Sequence, residues 1–587
     1  MTVPSTYAKQ LDAFYASCMN TQVIDKKTPG FVQSEIKLIN SIRNPRGLAE
    51  NVARLQLQGV AVLFSFGSQT DYANSNLQIS SLFQGGMSFQ DKAYYFKRDA
   101  KSLEIRTRFI EHVQNVFVLA GESQAQALAD ARLVLKFETQ LANKALATDE
   151  LQDATALNHP VDIIAIKKTF PNFAWDDFFS ALQIKAPGKI NLATPDFFEA
   201  MNSILKNTPL GELKVYLKWQ MLHAWAGSLA EKYRDENFAF WSNYMSGVKE
   251  TSPRWKKCTR KVEATMTEAL GEAFVNSFPN PAAVKSQASL MIQEIKTAFS
   301  ENLESLDWLD IQTRDAAQQK LALVGDKVGF PAQWQKYGGL VISPDDFIAN
   351  SRTIAVFASR KDLDKIGQAT DRSLWDMAVW EKNAYYSPAA NEMVFPLGAL
   401  VPPIFDITAS PGANYGSVGG GWMGHELTHG FDSDGRHFDG QGNLTNWWTA
   451  ATAQQFEQRS QCLIDQADRY EVIPGLFVRG QQTLTENLAD QGGAKIGYQA
   501  WVKSAKGRAP APAVGPFNEA QQFWLAYGQS WCTKETAERT AELVATDVHP
   551  PAEFRCNAVI FNRPEFARDF ACKAGSRMAP ANPCTVW

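Results

Sequence analysis

The sequence predicts a mainly α-helical, multi-domain protein whose last part adds a little strand. Three observations carry this. The chain has 587 residues, 45% of them hydrophobic, with 16 Trp and 36 Phe, enough to fill two or more cores. From Tyr7 to about Arg360, long segments such as "SLEIRTRFIEHVQNVFVLAG" and "SQAQALADARLVLKFETQLANKAL" repeat apolar residues at helical spacing between Pro- or Gly-containing loops. After Trp380 the texture changes to short runs of Tyr, Val and Phe separated by turn residues. The expected domains are therefore 1–360, mainly helical, and 361–587.

Taken in order, the helical part offers no chemistry of its own. His112, His159 and His223 lie there without metal-ligand partners nearby in sequence, so packing or surface roles are expected. The segment "LDWLDIQTRDAAQQKLALVGDKVGFP" reads as a helix starting at Thr313, running through Leu323 and stopping at Gly325. In "KNAYYSPAANEMVFPLGAL" the apolar runs predict two short strands. The glycines of "NYGSVGGGW" then lead into a helix. No Gly-Lys-Ser/Thr follows, so close backbone packing accounts for them better than a phosphate loop. "KGRAPAPAVGPF" (Lys506 to Phe517) is expected to be a loop joining two helices.

Composition limits the partners. The formal net charge is only -4 and basic residues are interspersed with acidic ones, so nucleic acid is not expected. No apolar run is long enough to cross a membrane, and "MTVPSTYAKQ" does not read as a signal peptide. That leaves a mature exported protein, a cytosolic protein or a fragment. None of the seven cysteines forms a C-x-x-C pair. Buried thiols and disulfides both fit their scatter, and an odd count leaves at least one unpaired.

The chemistry concentrates in "GGGWMGHELTHGFDSDG". His425 and His429 are four residues apart, so a helix puts both imidazoles on one face, where they can share a metal ion beside Glu426. Catalytic zinc commonly takes a third protein ligand. The metzincin pattern is excluded, because Asp432 and Gly435 occupy the positions it needs for Gly and His. "TLTENLADQGG" offers Glu486 and Asp490 on one helical face, one for the metal and one for a histidine. A purely structural zinc site would be closed by four ligands rich in cysteine, and no cysteine lies near this helix.

These residues resemble the neprilysin and endothelin-converting enzyme family of zinc peptidases. The resemblance is carried by "GHELTHGFDSDGRHFDGQGNLTNWWT", "TENLADQGGAKIGYQAW", "NAYYSPAANEMVFP", the Trp531-Cys532 pair, "HPPAEFRCN" and the terminal "CTVW", with weaker similarity back to "FYASCMNTQVID". It implies a thermolysin-like zinc peptidase domain facing a large helical domain, with the active site in an enclosed cavity between them. It further implies one Zn2+ per chain held by His425, His429 and Glu486, with Glu426 as general base, Asp490 orienting a ligand histidine and His549 stabilising the transition state. Arg555, Trp531, Asn383 and Ala384 fall on the substrate side. Hydrolysis of short peptides, with hydrophobic residues on the primed side, is the expected activity.

Set against that family, the chain is expected to be short at its N-terminus. The resemblance pairs Cys18 with Cys258 and Cys462 with Cys584, leaving Cys532, Cys556 and Cys572 over. It also implies an exported protein, and a monomer without membrane contact is expected. A catalytically weak peptide-binding protein is the alternative, through loss of packing at the N-terminus. Trp422 stands where relatives carry a small aliphatic residue, so it either fills the core or narrows the pocket for the residue after the scissile bond.

Overall fold

The computed structural model describes residues 5–587. Polar caps start many of the helices. Asp99 accepts from the Ser102 amide to open Ala100–Leu119, and Ser123 accepts from Gln126 to open Gln124–Ala142. Along the first of these, Ile105, Phe109, Val113, Val116 and Phe117 form the buried stripe that the spacing predicts.

Apolar packing gathers the chain around two large cores. One core gathers residues from Val32 to Met245 together with Ile348 and Leu363. The second joins residues between Val275 and Val328 to residues between Val379 and Trp587. A smaller core holds Phe14, Cys18, Cys258 and Phe347. The chain crosses between halves because strand Gly325–Gly329 pairs in parallel with Glu392–Pro396, which pairs antiparallel with the edge strand Tyr385–Ser387. Parallel pairing needs a long crossover, and the intervening residues supply it.

Three local expectations are corrected. The helix Ile311–Leu323 is capped by Asp310, not Thr313: its carboxylate accepts from the Thr313 amide at 2.8 Å. Gly325 is not a helix stop but the first residue of a strand, since Val324 is already extended. The helical half also contains a hairpin, Phe64–Asp71 with Asn74–Gln84, whose second strand pairs in parallel with Lys189–Leu192. The two expected strands, Tyr385–Ser387 and Glu392–Pro396, are present, and residues 506–517 connect helix Leu484–Ser504 to Glu519–Ser530. Cys18–Cys258 and Cys462–Cys584 are bonded, and Cys532, Cys556 and Cys572 are free thiols. Among the described residues no helix is long and apolar enough to cross a membrane.

The halves meet around a cavity. At the hairpin tip the Tyr72 carbonyl accepts from the Leu444 amide at 2.7 Å, and the Tyr72 ring stands edge-on to Phe438. Gln152 donates to the Gln482 carbonyl and accepts from Thr485. On a third side, Ser246 Oγ donates to Glu542 at 2.8 Å and its carbonyl accepts from Thr536.

Candidate metal centre

Two helices with glycine at their crossing build the site. Residues Tyr415–Met423 wind with the wider π-helical pitch and continue into Gly424–His429, which lies against Leu484–Ser504. A Cβ on Gly493 would stand 2.4 Å from the Gly420 carbonyl and 2.6 Å from the His425 amide; one on Gly497 would be 2.5 Å from the Gly420 Cα. Only glycine permits this approach, and the expectation of close backbone packing holds. The approach brings His425 and His429 on one helix within reach of Glu486 on the other.

Their donor atoms converge. His425 Nε2 lies 3.0 Å from His429 Nε2 and 3.3 Å from Glu486 Oε2, and His429 Nε2 lies 3.5 Å from Glu486 Oε1. Glu426 is close as well, since its carboxylate and the two histidines offer ligand atoms within 4.8 Å of one another. Each histidine faces a carboxylate with its other nitrogen: His425 Nδ1 is 2.8 Å from Asp490 Oδ1, and His429 Nδ1 is 2.6 Å from Asp432 Oδ2. Protons on the Nδ1 atoms leave both Nε2 lone pairs aimed at one point. Such an arrangement repels itself unless a cation sits between. Zinc bonds of about 2.0–2.1 Å in a tetrahedron require donor separations of about 3.3 Å, close to the 3.0 Å between the two histidines and the 3.3 Å from His425 to Glu486 Oε2, while His429 stands nearer the other oxygen of the same carboxylate.

Protons compete with a cation for the two histidines. Burial would lower His425, but Asp490 and Glu486 outweigh it and bring it up to about 10. Burial would raise Glu486, yet His549, His429 and His425 hold it well below the usual carboxylate range. Glu426 moves the other way: burial raises it, only partly opposed by the two histidines. The pocket therefore distinguishes a carboxylate held as an anion from one suited to take up a proton.

Around the donors a second set of groups fixes geometry. Arg555 grips Asp490 with Nε and Nη2, both at 2.8 Å, reaches Glu486 at 3.2 Å and stacks on the Trp531 ring at 4.2 Å. Its Nη1 takes no protein partner among the described residues. His549 places Nε2 3.4 Å from Glu486 and anchors Nδ1 on Asp547 at 2.7 Å. The buried Lys320 ammonium donates to the carbonyls of Gly430, Gly435 and Phe438 at 2.6, 2.7 and 2.7 Å, pinning the turn that carries Asp432.

The cavity, about 620 Å³, has walls from both halves, with Tyr72, Gln152 and Leu157 on one side and the metal-site helices on the other. Of the residues expected from sequence, His425, Glu426, His429, Glu486, His549, Arg555, Trp531, Trp422, Asn383 and Ala384 all line it, and Asp490 stands behind His425. Asn383 and Ala384 lead directly into the edge strand Tyr385–Ser387. Asp432, Asp547 and Lys320 were missed. Asp432 lies three residues after His429 and Asp547 two before His549, spacings that could have flagged them. Lys320 is a lysine on the buried stripe of its helix, beside Ala317 and Leu321.

Comparison with known proteins gives the same picture. Two models described as peptidase family M13 match residues 2–331 and 383–586. The chain is 30% identical to endothelin-converting enzyme 1 of Homo sapiens, over 99% of this chain and 77% of that protein. The crystal structure of Mycobacterium tuberculosis zinc metalloprotease Zmp1 with an inhibitor matches at a TM-score of 0.95 and 29% identity, over 99% of this chain and 89% of that one. The open state of the same protease matches at 0.74 and 29% identity, over 99% and 91%.

Proposed function

Because the chain belongs to peptidase family M13 and is a zinc metalloendopeptidase, we propose that it cleaves short, unfolded peptides within the cavity between its halves. One zinc ion per chain would be held by His425, His429 and Glu486. The observation that carries this reading is the tripod of donor atoms, each imidazole backed by a carboxylate. Bound there, zinc supplies Lewis acidity that lowers the pKa of water and polarises a carbonyl.

The remaining steps belong to side chains. Glu426 accepts the proton of the attacking water and delivers it to the leaving amine, a role suited by its raised affinity for a proton. In its imidazolium form, with Nδ1–H held by Asp547, His549 donates from Nε2 toward the developing oxyanion. Arg555, fixed by Asp490 and Trp531, offers its unpartnered Nη1 to a substrate carbonyl on the primed side. Asn383 and Ala384 extend an edge strand whose open side receives the peptide backbone by strand addition. Trp422, at the cavity wall, narrows the pocket for the residue after the scissile bond, and hydrophobic residues fill it.

The test compares the parent with Glu426→Gln for zinc content and for cleavage of a fluorogenic peptide with Phe or Leu after the scissile bond. Both should hold near-stoichiometric zinc, and the variant should lose about 10²- to 10⁴-fold in kcat. Zinc retained with an unchanged rate would refute the assignment. Trp422→Val should shift the preference among Phe, Leu and Ala at that position; an unchanged preference would remove Trp422 from the pocket. Two disulfides suit an oxidising compartment, so we place the protein outside the cytosol, as a monomer; a dimer by light scattering would correct the latter.

A further inference from the structure

The cavity at the metal centre is not symmetric in charge. On the His425 side, Asp490 backs the imidazole and is gripped by Arg555, which stacks on Trp531. On the His429 side, Asp432 backs the imidazole, and Asp434 follows two residues later on the cavity wall. Arg555 and Asp434 thus reach the cavity past different histidines, on opposite sides of the donor tripod. The edge strand runs between these ends. Asn383 and Ala384 lead into it, and Tyr386, further along, meets the turn that carries both acids: its Cζ lies 3.2 Å from where a Cβ on Gly430 would stand. Burial, then Asp432 and Asp434, raises the Tyr386 hydroxyl well above its usual range. With Arg555 on the primed side, a peptide laid along this strand carries the residues before its scissile bond toward Asp434. That direction rests on the peptidase reading above.

Asp434 is open to a ligand. Its Oδ1 meets only the Ala154 amide, at 3.5 Å, and its Oδ2 has no partner among the described residues yet is not sealed from the cavity. No cation of the chain pairs with it there: Lys320 donates to three backbone carbonyls and Arg436 pairs with Glu457. Of the cationic wall residues, Lys382 adjoins Asn383 and Arg555 is held by Asp490, so both belong to the other end. Burial, then Asp432, raises the Asp434 carboxyl to about 7, and a cation beside it returns it to the anion. Tyr72 and Leu157 share the wall, an apolar cover for the stem of a long side chain whose charged end reaches the carboxylate.

We infer that Asp434 selects peptides with Lys or Arg at one of the two positions before the scissile bond. Oδ2 accepts from the ammonium or guanidinium, while Tyr72 and Leu157 cover the methylenes. The residue after the scissile bond is chosen at the other end, so one cavity reads a basic residue on one side of the bond and a hydrophobic one on the other.

The experiment measures kcat/KM of the zinc-loaded full chain for fluorogenic peptides that keep Phe after the scissile bond and carry Arg, Lys, Gln or Glu at each of the two preceding positions. At one position Arg and Lys should exceed Gln by about 10- to 100-fold, with Glu lowest. Asp434→Asn, which keeps an acceptor for the Ala154 amide, should bring that ratio to about one. Glu457→Gln, which removes a charge away from the cavity, should leave the ratio as in the parent. In the Glu426→Gln background, calorimetric titration with the uncleaved Arg and Gln peptides should show the same preference in Kd, lost when Asp434→Asn is added. Thermal unfolding checks that each variant is folded. A preference below about threefold at both positions, or one that survives Asp434→Asn, would overturn the inference. Absence of cleavage by the parent would instead count against the peptidase reading, and the titration would still decide the role of Asp434.

Discussion

Substituting Gly493 by alanine tests whether backbone contact between two helices sets the metal geometry. The new Cβ would stand 2.4 Å from the Gly420 carbonyl, 2.6 Å from the His425 amide and 2.9 Å from its Cα, where ordinary contact begins at 3.4 Å. All three are backbone atoms, so no rotamer change relieves the clash. The helices must part by about 1 Å, at an overpacking cost of about 1–3 kcal/mol, partly offset by about 1 kcal/mol from alanine's better helix propensity. The larger consequence is at the metal. Parting them lengthens the 3.3 and 3.5 Å edges between the histidines and Glu486, whereas metal sites tolerate only about 0.2 Å in each bond. Zinc affinity should fall by about 10- to 100-fold, the range seen when supporting groups are lost. Competition with a chelator measures the affinity, and urea unfolding measures the stability. Gly211→Ala is the control: its Cβ meets nothing within 4 Å in helix Leu210–Trp225, and stability should rise by about 0.4–1 kcal/mol with zinc affinity unchanged. If Gly493→Ala held zinc as tightly as the parent, contact at the crossing would not set the donor geometry.

Two further substitutions probe the support of the site and of its scaffold. Lys320→Met should destabilise the chain by about 2–4 kcal/mol, because three buried carbonyls lose their donor while relief of ammonium burial returns part of that cost. It should also weaken zinc binding through Asp432, and an unchanged urea midpoint with unchanged zinc affinity would show that the turn holds itself. Asp310 caps one helix and accepts from Thr449 and Thr452 of another segment; led by the Thr449 bond, these contacts bring its carboxyl down to about 2. A depressed acid contributes stability above its unfolded pKa and loses it as pH falls through the folded value. Because asparagine caps as well as aspartate and the carboxyl is largely open to solvent, Asp310→Asn should cost at most about 1 kcal/mol at pH 7, with parent and variant converging toward about pH 2. A gap between them that stayed constant across the acid range would assign the effect to packing.

Local signals were legible where the physics is local. The spacing of His425 and His429 gives one helical face by geometry alone, and Glu486 with Asp490 gives another. The glycines ahead of His425 announced a close approach, though not its partner: that Gly420 meets Gly493 and Gly497 depends on two segments some seventy residues apart. The Thr313 start failed because Asp310, three residues earlier, is the stronger capping residue and also reaches a neighbouring segment besides its own helix. The Phe64–Asp71 hairpin went unread among helices because its strands are only partly buried and alternate weakly.

The sequence by itself determined which donor groups stand together on one helical face, because a metal site needs particular donor atoms at spacings that a helix imposes on its own chain. It also determined, through resemblance, that Cys18 bonds Cys258 and Cys462 bonds Cys584. Tertiary structure alone decided where those groups meet. The division of cores across residues 275–328, the three carbonyls gathered on Lys320 and the cavity walled by both halves at the metal centre all arise from contacts between residues far apart in the chain. Such contacts are chosen by the shape of whole packed surfaces, and no short stretch of sequence carries that information.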